Sequence, residues 1–266
     1  MRVAVIGAGA WGTALARLAS ARADVSLWAR EPEVVAAVRE HGENTLFLPG
    51  HALPPALACT GSLPEALDGV ELVIMAVPSH GFRAVLRGAR EFLPPGAPLI
   101  SVTKGIEQDS LKRMTEIVLE ETALDPGAVG VLTGPNLARE IAAGQPAATV
   151  VATIDPGPGL AVQSILMGPT LRVYTNPDVV GCEAAGALKN VMAIAAGMAA
   201  GLGYGDNSTA ALITRALAEL TRLGVAMGGR PLTFAGLAGM GDLVATCISA
   251  QSRNRQVGVA LGQGRR

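Results

Sequence analysis

The chain has 266 residues, half of them hydrophobic and only 3% aromatic, with a formal net charge of −1 at pH 7. That length suits one large domain or two ordinary ones, and the near-neutral balance gives no reason to expect nucleic acid or an acidic membrane surface as a partner. The three cysteines, Cys59, Cys182 and Cys247, are odd in number and lack metal-ligand spacing, which points to reduced thiols in a cytoplasmic protein without a metal site.

The opening run, residues 2–6, reads as a first strand and not as a signal peptide, because its apolar stretch breaks into glycines at Gly7 and Gly9. Further strands are predicted at 24–29, 72–77, 98–103, 130–133, 147–153 and 171–174. Helical periodicity occupies 11–22, 32–40, 81–92 and 110–122. Alternation of this kind predicts a parallel α/β sheet wrapped by helices. Past Asn176-Pro177-Asp178 no strand is predicted, and 178–201 and 208–227 read as long Ala-rich helices. The fold class is therefore a Rossmann-type doubly wound sheet followed by an all-helical domain, divided as 1–176 and 177–266. The longest uncharged apolar run, 191–203, falls short of the roughly 20 residues of a membrane span, so no stable membrane insertion is expected. Gly197 and Gly201, four apart, would let another backbone approach closely.

Gly7-Ala8-Gly9-Ala10-Trp11-Gly12 fits G-x-G-x-x-G between a strand and a helix, the context that gives this pattern meaning. The first glycine permits the turn, the second lets a pyrophosphate approach the backbone, and the third allows close helix–strand packing. The helix N-terminus adds partial positive charge. A strict NAD site carries an acid at the end of the second strand to hold the ribose 2′-hydroxyl. Here Arg30 stands there, suited to a 2′-phosphate, with Glu31 beside it. NADP, or dual use of NADP and NAD, is favoured over strict NAD.

Of twenty-one basic residues only Lys104, Lys112 and Lys189 are lysines. Lysine is the basic side chain whose proton burial can tune. Lys189 lies in a nearly uncharged helical stretch, where an ammonium needs a partner or a task. Lys104 ends a predicted strand, where open α/β sheets bind ligands; Lys112, beside Arg113 and Glu116, reads as surface. The loop Thr133-Gly134-Pro135-Asn136 ends another strand, with Asn136 a possible helix cap. Asp242 is a single acid in an apolar, glycine-rich and flexible stretch. Ser252, Arg253, Asn254 and Arg255 group donors able to fork onto a phosphate.

On these segments the chain resembles the bacterial NAD(P)-dependent glycerol-3-phosphate dehydrogenases. The carrying motifs are GAGAWGTALA from Gly7, SVTKGIE from Ser101, TGPNLAREI from Thr133, ALKN from Ala187, GDNSTAALIT from Gly205, GMGDLVATC from Gly239 and SRNR from Ser252. The resemblance implies reversible reduction of dihydroxyacetone phosphate to sn-glycerol 3-phosphate, which feeds phospholipid synthesis, and a homodimer. It implies that Lys189 is the proton donor and acceptor, with Lys104 and Asp242 beside it. Lys104, Gly134, Asn136, Asn190, Asp242, Thr246, Ser252, Arg253 and Asn254 fall at positions that hold substrate or line its site. Gly7, Gly9, Ala10, Trp11, Gly12, Arg30, Lys104, Ala138 and Arg253 fall near the dinucleotide.

Hydride reaching a carbonyl carbon leaves an alkoxide that needs a proton and a nearby positive charge. Burial and repulsion from Lys104 or Arg253 would lower the Lys189 pKa, and Asp242 would oppose the drop. The chain departs from the family at Thr133, Asn136 and Leu137, where serine, a hydroxyl residue and phenylalanine are usual. The family also continues past Gly264, so a second domain incomplete at its C-terminal end is expected. Two rival readings are another lysine-dependent β-hydroxyacid or ketoacid reductase, and a non-catalytic NADP-binding sensor. The Arg253 cluster argues against the first, and Lys189 with Asp242 against the second.

Overall fold

A computed structural model describes residues 1–265. In chain order the first part runs β1 (Arg2–Ile6), α1 (Ala10–Ala19), β2 (Asp24–Trp28), α2 (Pro32–His41), β3 (Ala58–Thr60), α3 (Leu63–Leu67), β4 (Leu72–Met75) and α4 (Ser79–Ala89). It continues with β5 (Leu99–Ser101), α5 (Met114–Glu121), β6 (Val129–Thr133), α6 (Ala138–Ala142), β7 (Ala147–Thr153), α7 (Pro156–Leu166) and β8 (Leu171–Asn176). The remainder is helical: α8 (Val179–Gly201), α9 (Asp206–Ala226), α10 (Pro231–Ala235), α11 (Asp242–Ile248) and α12 (Arg253–Gly262), with a π-helical turn at Leu237–Gly241 before α11.

The eight strands form one sheet in the order β3-β2-β1-β4-β5-β6-β7-β8. Strands β1 to β6 pair in parallel, as expected, and the order reverses direction at β1, which opens a crevice beyond its C-terminal end. The all-parallel expectation fails at one place: β7 runs antiparallel to β6, and β8 follows β7 in parallel. Because of that reversal, the start of β7 lies beside the end of β6, so Thr149 reaches the loop after Thr133.

Alternate strand residues supply two apolar layers. Val3, Val5, Ile74, Ile100 and Leu132 face one side with α1 and α7, and Ala4, Ile6, Val73, Met75 and Leu99 face the other with α4 and α5. Strands buried on both faces read as continuous apolar runs, which is why they were visible in the sequence.

Helix α8 is longer than the apolar run 191–203. Its 23 residues are long and apolar enough that by length and composition alone it would pass for a membrane span. It packs instead on β6, α9, α11 and α12. Its N-cap Asp178 accepts from Gly181 N, Arg230 N and Thr233 Oγ1, which ties the helix start to α10. The crossing with α12 is closer than Gly197 and Gly201 alone suggested. Gly258 and Gly262 face them, and a Cβ at any of the four would overlap backbone of the opposing helix.

Candidate active site

The C-terminal ends of β5 and β6 meet α8 and the start of α11. Chain leaving β5 turns at Gly105 (φ +153°), where a Cβ would lie 2.7 Å from Ser79 Oγ, and this turn presents Lys104 across the end of the sheet. Lys104 Nζ donates to Gly134 O at 2.8 Å and to Asp242 Oδ2 at 2.6 Å. Lys189 Nζ donates to the other oxygen, Asp242 Oδ1, at 2.7 Å, and to Thr246 Oγ1. Thr246 in turn donates to Asp242 O at 2.6 Å. One carboxylate thus bridges two ammonium groups drawn from segments far apart in sequence. Asp242 is 1% exposed, Lys189 5%, and the Lys104 side chain 20%.

Burial pushes the Lys189 amine down to about 8, with the Lys104 charge adding to the drop and Asp242 opposing it. Burial is the larger cause, which the sequence could not decide. Of the two cations expected to push it down, Lys104 is the one that does, while Arg253 is exposed at the first turn of α12.

Local packing explains how α8 delivers Lys189. Gly186 lets the helix lie on β6, since a Cβ there would sit 2.7 Å from Thr133 Oγ1. Glu183, 2% exposed, accepts from Thr115 N at 2.9 Å, Thr115 Oγ1 at 2.5 Å and Arg113 Nη1 at 2.9 Å, which joins α8 to the start of α5. Burial raises the Glu183 pKa while Thr115 and Arg113 oppose it.

At the other side of the crevice, Gly7 has φ +114° and its Cβ would lie 2.7 Å from Ala76 O. A Cβ at Gly12 would overlap Gly7 O, whereas nothing lies within 4 Å of a Cβ at Gly9. The turn therefore has the three glycine roles the fingerprint demands, with open space where a pyrophosphate would approach. Ala10, Trp11 and Ala138 pack together with Ala14, Leu48 and Ala142, and Trp11 Nε1 is buried without a partner. These residues fit a dinucleotide. Arg30, its side chain 77% exposed, donates through Nε and Nη2 to Glu31 Oε1 at 3.1 and 2.7 Å.

Two expectations, for Asn136 and for the surroundings of Asp242, need correcting. Asn136 does not cap α6, whose N-cap is Leu137; its Nδ2 donates to Thr149 Oγ1 at 3.1 Å, and its Oδ1 is buried without a partner. Asp242 is the first residue of α11, because Gly241 precedes it in helical conformation. Its surroundings are not the flexible stretch expected: Gly239 in the π-helical turn is pressed against Phe234 backbone. Ser252 is spent on its own helix, accepting from Arg255 N at 3.2 Å as the α12 N-cap. Asn190 and Asn254 are half-buried and hydrogen-bond to none of Lys104, Lys189 or Asp242. A cavity of about 480 Å³ lined by Arg2, Asp24, Glu65 and Asp68 lies at the opposite end of the strands, away from all these groups.

Family models match nearly the whole chain. Residues 2–157 match the N-terminal and residues 178–266 the C-terminal model of NAD-dependent glycerol-3-phosphate dehydrogenase. The chain belongs to that family. It is 55% identical over 265 residues to glycerol-3-phosphate dehydrogenase [NAD(P)+] 2 of Sphingopyxis alaskensis, covering all of this chain and 79% of that protein. It is 51% identical to the glycerol-3-phosphate dehydrogenase [NAD(P)+] of Moorella thermoacetica, covering 98% of this chain and 78% of the other. The crystal structure of glycerol-3-phosphate dehydrogenase from Coxiella burnetii superposes with a TM-score of 0.94 at 38% identity, over 99% of this chain and 80% of that one.

Four residues that touch the site or its supports escaped the sequence reading: Asn44, Thr149, Glu183 and Gly186. Only Glu183 left a signal, as the one acid in the apolar stretch around Lys189.

Proposed function

We propose that this member of the glycerol-3-phosphate dehydrogenase family reversibly reduces dihydroxyacetone phosphate to sn-glycerol 3-phosphate with NAD(P)H. Residues 1–176 would bind the dinucleotide and 177–266 the substrate. The observation that carries the reading is the buried Lys104–Asp242–Lys189 bridge, which holds one proton donor with a pKa near neutrality at the ligand end of a dinucleotide-binding sheet.

The bound nicotinamide would supply hydride to the substrate's carbonyl carbon. Gly7, Gly9, Ala10, Trp11, Gly12, Arg30 and Ala138 would hold the dinucleotide. Lys189 Nζ gives its proton to the oxygen that becomes alkoxide, and takes it back in the reverse direction. With a pKa of about 8 it can do either near neutral pH. Asp242 orients both amines, and Lys104 adds a second positive charge where negative charge develops. Arg253, unpaired by any carboxylate among the described residues, meets the substrate phosphate with Asn254 and the Ser252 end of α12. Asn136, Gly134, Asn190 and Thr246 line the remainder.

Exposed Arg30 supports NADP, and Glu31 beside it supports NAD as well, so dual use is the reading favoured here. Three buried, unpaired cysteines support a reducing, cytoplasmic setting for an enzyme that supplies glycerophospholipid synthesis. The homodimer rests on the family resemblance.

The experiment is NADPH and NADH oxidation with dihydroxyacetone phosphate, run beside Lys189→Met. Turnover by the unaltered protein and its loss in the variant, with dinucleotide binding retained, is expected. Equal turnover by Lys189→Met overturns the lysine mechanism; binding without turnover in the unaltered protein favours the sensor.

A further inference from the structure

Residues 42–53, between α2 and β3, have no regular structure, yet they are fastened firmly. Glu43 and Ala52 form an isolated antiparallel bridge, Leu53 N donates to Gly42 O at 2.7 Å, and Arg17 Nε on α1 donates to Ala52 O at 2.9 Å. Inside this loop Asn44 is 0% exposed. Its Nδ2 donates to Ala8 O at 2.8 Å and to Thr13 Oγ1 at 2.8 Å, and its Oδ1 accepts from Phe47 N at 3.1 Å. Thr13, also 0% exposed, completes the triangle by donating to Ala8 O at 3.3 Å.

Ala8 is the first variable position of the glycine-rich turn, so both bonds act on the peptide between Ala8 and Gly9. That peptide is planar and trans, which makes its C=O and N–H point in opposite directions. Fastening the carbonyl inward therefore fixes the Gly9 N–H outward. Gly9 N donates to no acceptor among the described residues, and the space above Gly9 is open. A glycine-rich turn is otherwise free to rotate its peptides, and an N–H that must find its direction on binding costs affinity.

We propose that Asn44 is a positioning residue for the dinucleotide: acting with Thr13 through the Ala8 carbonyl, it holds the Gly9 N–H aimed at the pyrophosphate. This rests on the dinucleotide-binding reading of the same turn. It assigns to a loop remote from the fingerprint part of the fingerprint's function.

The test is NADPH affinity by fluorescence titration, with the Michaelis constants for NADPH and dihydroxyacetone phosphate measured on the same samples. Asn44→Ala is expected to weaken NADPH and ADP-ribose alike by about tenfold, the loss of one hydrogen bond directed at a charged group. The KM for dihydroxyacetone phosphate should stay within about twofold, because the substrate does not touch the turn. Thr13→Val, which keeps the side-chain volume, should weaken NADPH in the same sense, and Thr13→Ser should restore it. This second pair carries the test if Asn44→Ala does not fold. NADPH affinity unchanged in a folded variant, or an equal loss for both substrates, overturns the proposal. Failure of the unaltered protein to bind NADPH would instead overturn the dinucleotide reading.

Discussion

Replacing Asp242 by Asn removes the one negative charge between two ammonium groups while keeping the side-chain shape. The carboxylate is within 2.7 Å of both amines and is 1% exposed. An opposite charge this close supports the charged form of a buried group by about 1–3 pK units. Its removal should take Lys189 from about 8 to roughly 5–7. At pH 7 the native amine is roughly nine-tenths protonated, and after a two-unit fall about one-tenth. Reduction, which needs the ammonium, should lose about tenfold at neutral pH from protonation alone, and recover part of it in acid. Oxidation of glycerol 3-phosphate, which needs the free amine, should have its lower limb moved to more acid pH.

The assay is the initial rate in both directions across a pH series, at saturating substrate and cofactor. An inflection unmoved from the native one, or moved toward alkaline pH, would refute the electrostatic role given to Asp242. Stability supplies an independent readout. Lys189 has a folded value below its ordinary 10.5, so the unfolded chain binds more protons between about 8 and 10.5, and native stability rises with pH across that window. In Asp242→Asn the rise should begin at lower pH. The variant should also be about 3–5 kcal/mol less stable at neutral pH, the usual consequence of stripping a partner from a buried ion pair.

Arg30→Ala should lower kcat/KM with NADPH by about tenfold or more, for want of one charge-assisted bond to phosphate, and leave NADH nearly unchanged. Glu31→Gln frees the exposed guanidinium from a surface pair worth at most about 1 kcal/mol, so the NADPH/NADH ratio should rise only about two- to fivefold. In Gly197→Ala the new methyl overlaps the Arg255 carbonyl. We expect a loss of about 1–3 kcal/mol and a lower Tm, with a raised KM for dihydroxyacetone phosphate because α12 carries Arg253 and Asn254. Arg83 joins Glu107, Glu120 and Glu121 beside the Lys104 loop, and the carboxyls of Glu107 and Glu121 are held at about 2: by Arg83 and Ser110 for the first, by Arg87 and Arg83 for the second. That stabilisation is present above the ordinary carboxyl pKa and is lost as pH falls toward 2, so Arg83→Met should unfold at higher pH in an acid titration followed by circular dichroism.

Long, doubly buried strands were legible in the sequence because burial on both faces leaves an unbroken apolar run. Arg2–Ile6 and Ala147–Thr153 have the predicted bounds. Ala58–Thr60 is three residues long after a proline-rich loop, too short to show any period, and the five-residue helices Leu63–Leu67 and Ala138–Ala142 suffer the same way. Strand direction left no trace, since β7, although antiparallel to β6, carries an apolar run like those of the parallel strands β1 and β4. Within the site, Lys104, Lys189 and Asp242 stood out because charge is scarce around them. Thr149 and Asn44 did not, because each acquires its role from a partner 16 or 36 positions away that only the folded chain brings near, and Glu183, though visible as a lone acid, finds its partner Thr115 68 positions away.

The same scarcity explains why the site keeps lysine in a chain that uses arginine nearly everywhere else. A guanidinium in place of Lys189 would supply the positive charge, but with a pKa above about 12 it could not release a proton near neutrality. Burial tunes an amine down to the working range, and the second amine, Lys104, pushes it the same way. Two such amines buried together would repel one another and lose their charge, were Asp242 not placed between them. The trio then keeps one net positive charge where the substrate's negative charge would develop, and of its two amines Lys189 is the more deeply buried. The arginines are left to places where a permanent charge suffices: Arg113 paired with Glu183 and, in the proposed function, Arg253 for the phosphate and Arg30 for the ribose.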